Sequence, residues 1–105
     1  MTATELLPCL LDWFIYEPDT GVLRWKRKPR KGIQIGDVIG TPDSNGRLRF
    51  EFRGKTYPVH LVAFAIYYER WPKAQVDHKN CIKTDNRIEN LTLMTWSEHA
   101  RHHHR

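Results

Sequence analysis

Five residues toward the end of this 105-residue chain have the types and spacing that hydrolytic chemistry needs. Asp77 and His78 are adjacent, Asn90 follows His78 by twelve positions, and His99 and His103 stand four apart. Adjacent residues in an extended strand point to opposite sides. One of the Asp77-His78 pair can therefore ligate a metal while the other faces a scissile phosphate. Hydrolysing a phosphodiester takes a base to deprotonate water and a cation to offset the charge that develops on the phosphoryl group. Histidine titrates near neutral pH and suits the first task. A carboxylate and two imidazoles can hold a divalent ion and leave positions open for phosphate and water. An Asn carbonyl on the second ring nitrogen of the base would set its tautomer and orientation.

These residues need a scaffold of two strands and a helix. Ala74 and Val76 lead into Asp77-His78 as a first strand, and Leu91-Thr92-Leu93-Met94 has the length of a second. Thr95-Trp96-Ser97-Glu98 has capping-box spacing, so a helix is expected with Thr95 as its N-cap. On that helix His99 and His103 share one face. Asp85-Asn86-Arg87 reads as structural, with Arg87 either paired to Asp85 or reaching a nucleic acid.

Upstream, HLVAFAIYYE at 60–69 has no turn former and predicts a buried helix that ends before Trp71-Pro72. Residues 47–53 alternate: Leu48, Phe50 and Phe52 face one way, and Arg47, Arg49, Glu51 and Arg53 the other. Trp13–Tyr16 and Val22–Lys26 flank Glu17-Pro18-Asp19-Thr20-Gly21 and predict a hairpin. Residues 27–46, rich in glycine, read as loop with a short strand near 34–39. Residues 1–12 allow a helical turn or two, cut by Pro8. The expected fold is α+β: one compact domain over 1–105. It holds a basic antiparallel β-sheet platform at 13–57, a helix at 60–70 and a ββα unit at 74–105.

Seventeen Lys and Arg against twelve acidic residues give a net charge of +5, which suits a polyanionic partner. Arg24, Lys26, Arg27, Lys28, Arg30 and Lys31 form one cluster, and Arg47, Arg49, Arg53 and Lys55 a second. Cys9 and Cys81 form no CxxC pair, which excludes a four-thiolate zinc ribbon; two reduced cysteines are expected, at least one of them buried. No apolar run approaches a membrane span, and no signal peptide is read at the N-terminus. A cytoplasmic protein without membrane contact is expected.

VDHKNCIKTDNRIENLTLMTWSEH resembles the HNH (ββα-metal) endonucleases found in phages and intron homing systems, with their DHxNG…DNRxxNL pattern. TYPVHLVAFAIYYERWP is similar to the segment that precedes the motif in the phage enzymes, so the likeness covers roughly 56–103. The resemblance implies a metal-dependent DNA endonuclease leaving 5′-phosphate and 3′-hydroxyl ends. It implies Asp77 as a metal ligand, His78 as general base, Asn90 as the residue that orients the base, and His99 as a second ligand. His103 matches a third histidine of the colicin-type nucleases. One divalent ion is implied, Mg²⁺ or Mn²⁺ first, with Zn²⁺ or Ni²⁺ as alternatives. The implied partner is double-stranded DNA, cut by a monomer or homodimer, in the host cytoplasm and beside a packaging or replication partner if the source is a phage. Cys81 stands where relatives commonly carry Gly, and His99 where many phage relatives carry Asn.

Arg47, Arg49, Arg53, Lys79, Arg87 and His60 are the candidate nucleic-acid contacts. His60 reads first as a core or capping residue, with a phosphate contact as the alternative. His102, His103 and His104 read alternatively as a solvated helix end or tag residues, with His103 alone at ligand spacing from His99. A second functional class stands beside the enzyme: a non-catalytic DNA-binding module with a structural metal site. His78 separates the two, because a structural metal site has no use for an unligated histidine beside Asp77.

Overall fold

The computed structural model of the chain describes residues 3–94. It opens with helix α1, Ala3–Trp13, longer than the one or two turns that Pro8 suggested. A proline inside a helix costs about 3 kcal/mol, and each fully buried leucine returns about 1.5–3 kcal/mol. Leu6 and Leu10, one turn apart, are both buried while Pro8 stays exposed, so packing outweighs the break.

The hairpin forms as expected. Strands β1, Phe14–Glu17, and β2, Val22–Trp25, pair antiparallel with Phe14 opposite Trp25 and Glu17 opposite Val22. The strand expected near 34–39 shrinks to a single bridge between Val38 and Arg24. Gly32, Gly36 and Gly40 all take positive φ, and each breaks an extended run. Only β3, Thr41–Pro42, remains of this stretch. It lies beside β4, Leu48–Phe52, which pairs in turn with β5, Lys55–Pro58. The platform of residues 13–57 is thus two sheets, β1-β2 and β3-β4-β5, instead of one. Along β4 the alternation holds: Phe50 and Phe52 are buried, and Arg49 and Glu51 are exposed.

Helix α2, Val59–Tyr68, is apolar nearly all round because it is covered on two sides. Val59, Val62 and Ala65 join a core with Leu10, Phe14, Leu23, Phe50 and Phe52. Ala63 and Phe64 join a second core with Val76 and Leu91. Tyr16 packs against both. Strand β6, Gln75–His78, and strand β7, Leu91–Met94, pair antiparallel, with a 3₁₀ turn at Ile88–Asn90 leading into β7. The α+β class is as expected. The helix expected from Thr95 lies outside the described residues. Among the described residues no helix is long and apolar enough to cross a membrane. Cys9 is half-buried and Cys81 exposed, neither in a disulfide, so the expectation of a buried cysteine fails.

Candidate active site

Val76 and His78 sit on the buried side of β6 and Asp77 on the other, as strand alternation requires. In register, Asp77 lies opposite Thr92 and His78 opposite Leu91. An Asp77 side-chain oxygen accepts the backbone N–H of His78 at 2.8 Å. A cleft of about 230 Å³ opens at this end of the β6-β7 ribbon, lined by Asp77, His78, Lys79, Thr92 and Met94.

His78 is 4% exposed and is held from two directions. Its Nε2 lies 2.8 Å from Oδ1 of Asn86, itself only 1% exposed. An amide oxygen can only accept, so in the neutral imidazole this contact puts the ring proton on Nε2 and leaves Nδ1 as the acceptor. The ring of His60, from the first turn of α2, packs against His78 with centroids 4.9 Å apart and planes inclined by 58°. Burial, the neighbouring His78 and Arg47 together lower the pKa of His60 to about 4, against a smaller opposing pull from Asp77. His60 is therefore neutral near pH 7, so any phosphate contact it made would be through a neutral N–H. Its observed role is a packing surface behind His78.

The expectation that Asn90 orients the base needs correcting, because Asn86 makes that contact. The Asn90 amide is committed elsewhere. Its Nδ2 donates to Asn80 Oδ1 at 2.9 Å and to the Asp85 carbonyl at 2.8 Å, and its Oδ1 accepts the Asn80 N–H at 3.0 Å. Asn90 thus closes the loop from 79 to 90, helped by Lys79 N–H on its backbone carbonyl at 2.8 Å. Asn80 also donates to Asp85 Oδ2 at 2.8 Å. The Arg87 guanidinium grips both Asp85 oxygens at 2.8 Å and reaches Glu89. That fork holds the Asp85 carboxyl well below its usual range and pushes the Arg87 guanidinium up. Of the two readings of Arg87, the ion pair with Asp85 is the one that forms in the structure.

Cys81 closes the turn at φ 64°, in the left-handed region that suits glycine, so the loop keeps the shape that a glycine would give. The turn is held by Cys81 N–H on the His78 carbonyl at 3.1 Å. Sequence reasoning passed over Asn80 and Asn86 as individual site residues. Their placement depends on loop closure, which no local pattern announces.

The remaining candidates divide by what they touch. Arg47, Arg49 and Lys79 are exposed, and Arg49 lines a second cleft with Arg30. Arg53 is exposed and lies over the rings of Trp13 and Phe52, at 5.8 and 5.3 Å. Much of the first basic cluster serves the fold: Arg24 pairs with Glu17, Arg27 with Asp12, and Lys26 bonds the Leu11 carbonyl.

As a metal position, the described site offers the Asp77 carboxylate, an oxygen donor of the kind Mg²⁺ and Mn²⁺ prefer. No cluster of three His, Cys, Asp or Glu donors occurs among the described residues. His99 and His103, the other two candidate ligands, lie outside them.

Comparison with known proteins agrees with this fold. The sequence model of the HNH endonuclease family matches residues 57–101, from the end of β5 through α2 and the β6-β7 ribbon. A solved structure described as "DNA binding and cleavage by the HNH homing endonuclease I-HmuI" is similar to this chain at 25% identity and a TM-score of 0.62. The likeness covers 86% of this chain and 51% of that one, so the chain spans about half of the other protein's length. No curated protein sequence matches the chain.

Proposed function

We propose that this chain, whose residues 57–101 match the HNH endonuclease family, hydrolyses DNA phosphodiester bonds in a metal-dependent reaction with His78 as general base. The observation that carries this reading is the Nε2 contact to Asn86 Oδ1 at 2.8 Å, which leaves Nδ1 of a nearly buried imidazole as the basic atom.

The roles follow from placement. Nδ1 of His78 takes a proton from water, whose oxygen then attacks phosphorus, and the 3′-oxygen leaves. As the imidazolium forms, the Nε2–H bond to Asn86 becomes charge-assisted and strengthens, which favours the proton transfer. Asp77, with His99 and His103, would hold one divalent ion, Mg²⁺ or Mn²⁺ ahead of Zn²⁺ or Ni²⁺. When bound, such an ion supplies positive charge to the phosphoryl oxygens. Exposed Arg47, Arg49, Arg53 and Lys79 would take backbone phosphates of double-stranded DNA. One site cuts one strand, so a monomer nicks and a dimer breaks both strands. The products carry 5′-phosphate and 3′-hydroxyl ends.

Supercoiled plasmid tests this directly, with Mg²⁺, Mn²⁺, Zn²⁺, Ni²⁺ or EDTA and with His78→Ala beside wild type. Nicked or linear product that requires metal and falls about 10²–10⁴-fold in His78→Ala is the expected result. Plasmid left intact with every metal yet shifted in a gel would replace the enzyme with a DNA-binding module.

A further inference from the structure

The contact that orients His78 depends on a residue pinned by the far end of the chain. Asn86 and its neighbours are gripped by the β1-β2 hairpin at three points. The Tyr16 hydroxyl donates to the Asn86 backbone carbonyl. The Ile88 N–H donates to the Pro18 carbonyl at 3.0 Å. Gly21, at φ 79°, lies so close that a Cβ on it would come within 2.5 Å of the Asn86 carbonyl carbon and of the Arg87 nitrogen. Both are backbone atoms, which cannot swing aside as a side chain can. Burial drives the Tyr16 phenol up from its ordinary pKa, with smaller pushes from Tyr67, Tyr68 and Asp85, so it stays protonated and keeps donating.

We propose that Tyr16 and Gly21 are positioning residues for the general base, acting through Asn86 to hold the His78 ring in the Nε2–H tautomer. Neither is given a bond to His78; the link is Tyr16 to the Asn86 backbone, then Asn86 Oδ1 to Nε2. A hairpin more than fifty residues away in sequence is thereby part of the machinery for proton abstraction. Asn86 has little freedom to compensate, because its side chain is buried and its backbone is held on both sides. This inference rests on the reading of His78 as base, and its physical core, the tautomer, can be measured whether or not DNA is cut.

The test is ¹⁵N NMR of the histidine rings in the full chain with Mg²⁺, for wild type, Tyr16→Phe, Asn86→Ala and the double variant. A plasmid-nicking assay runs beside it. Tyr16→Phe removes one hydroxyl and leaves the ring that packs both cores. The expected result is an Nε2–H signature for wild-type His78 and a mixed tautomer signal in both single variants. The nicking kcat should fall about 10-fold in Tyr16→Phe at unchanged KM, and up to about 100-fold in Asn86→Ala. The double variant should be no worse than Asn86→Ala alone, since both changes break one chain of contacts. Phe52→Leu, in the other core, should lower stability without moving the tautomer signal. An unaltered His78 signal in Tyr16→Phe, or additive losses in the double variant, overturns the brace. Gly21→Ala is a second probe, expected to shift the same signal. If wild type shows the Nε2–H signature and its loss in Tyr16→Phe but no variant nicks DNA, the brace stands and the nuclease reading falls.

Discussion

Nε2 of His78 and Oδ1 of Asn86 meet at 2.8 Å, with both side chains almost wholly buried. Asn90, twelve residues after the histidine, instead spends its amide on Asn80 and Asp85. The two asparagines therefore fail in different ways when removed. Asn86→Ala should depress kcat about 10–100-fold with little change in KM. Asn90→Ala should lower the unfolding free energy by about 1–3 kcal/mol, because the three side-chain hydrogen bonds that close the loop are lost. Steady-state nicking kinetics and urea denaturation of the two variants separate the effects. Equal kinetic losses without a stability difference would contradict this division.

Cys81 occupies a left-handed conformation at φ 64° with its side chain exposed. A non-glycine residue there carries about 1–2 kcal/mol of strain, and glycine offsets part of that gain through its unfolded-state freedom. Cys81→Gly should raise stability by about 0.5–1 kcal/mol, read as a higher denaturation midpoint with an unchanged slope. A lower midpoint would mean that the thiol contributes more than the backbone strain costs.

His60 links stability to pH. Its pKa is about 4 in the folded protein against an ordinary 6.5, so the unfolded chain binds the proton first. Stability should be level above pH 6.5 and fall as pH drops toward 4, by at most about 3 kcal/mol from this group. His60→Gln should flatten that part of the profile in thermal melts taken with EDTA. An equally steep fall in the variant would assign the proton uptake elsewhere.

Arg49 and Arg87 test the sorting of the arginines. Arg49 is exposed on β4, and Arg87 is held by Asp85 and Glu89. Arg49→Ala should weaken DNA binding and reduce the slope of log K against log salt by about 1. Arg87→Ala should leave that slope alone and lower stability through the loop from 79 to 90. Fluorescence anisotropy across a salt series reads both, and a slope change confined to Arg87→Ala would reverse the assignment.

Local patterns carried a large part of this fold. The 50–52 alternation, the turn at 17–21 and the unbroken apolar run at 60–68 each depend on neighbours in sequence, and each element formed close to where it was read. The failures have physical causes. Pro8 argued against a long first helix, but burial of Leu6 and Leu10 overrode a local preference. A positive-φ glycine at Gly36 interrupts the strand expected near 34–39.

Asp77 beside His78 was legible in the sequence because adjacency in a strand fixes opposite faces whatever surrounds it. Cys81, standing where relatives commonly carry Gly, does take a positive φ, because a tight turn is a local object. The partner of His78 was not legible there. Asn86 and Asn90 have the same chemistry and lie on the same loop, and only loop closure decides which amide reaches the ring. That closure depends on Tyr16, Pro18 and Gly21, more than fifty positions upstream, meeting the backbone of 86–88. The sequence by itself determined the inventory of reactive groups and the strands that carry them, since period and turn chemistry act over a few residues. Tertiary structure alone decided which amide meets the ring of the candidate base, because that rests on one buried hydrogen bond set by contacts between distant segments.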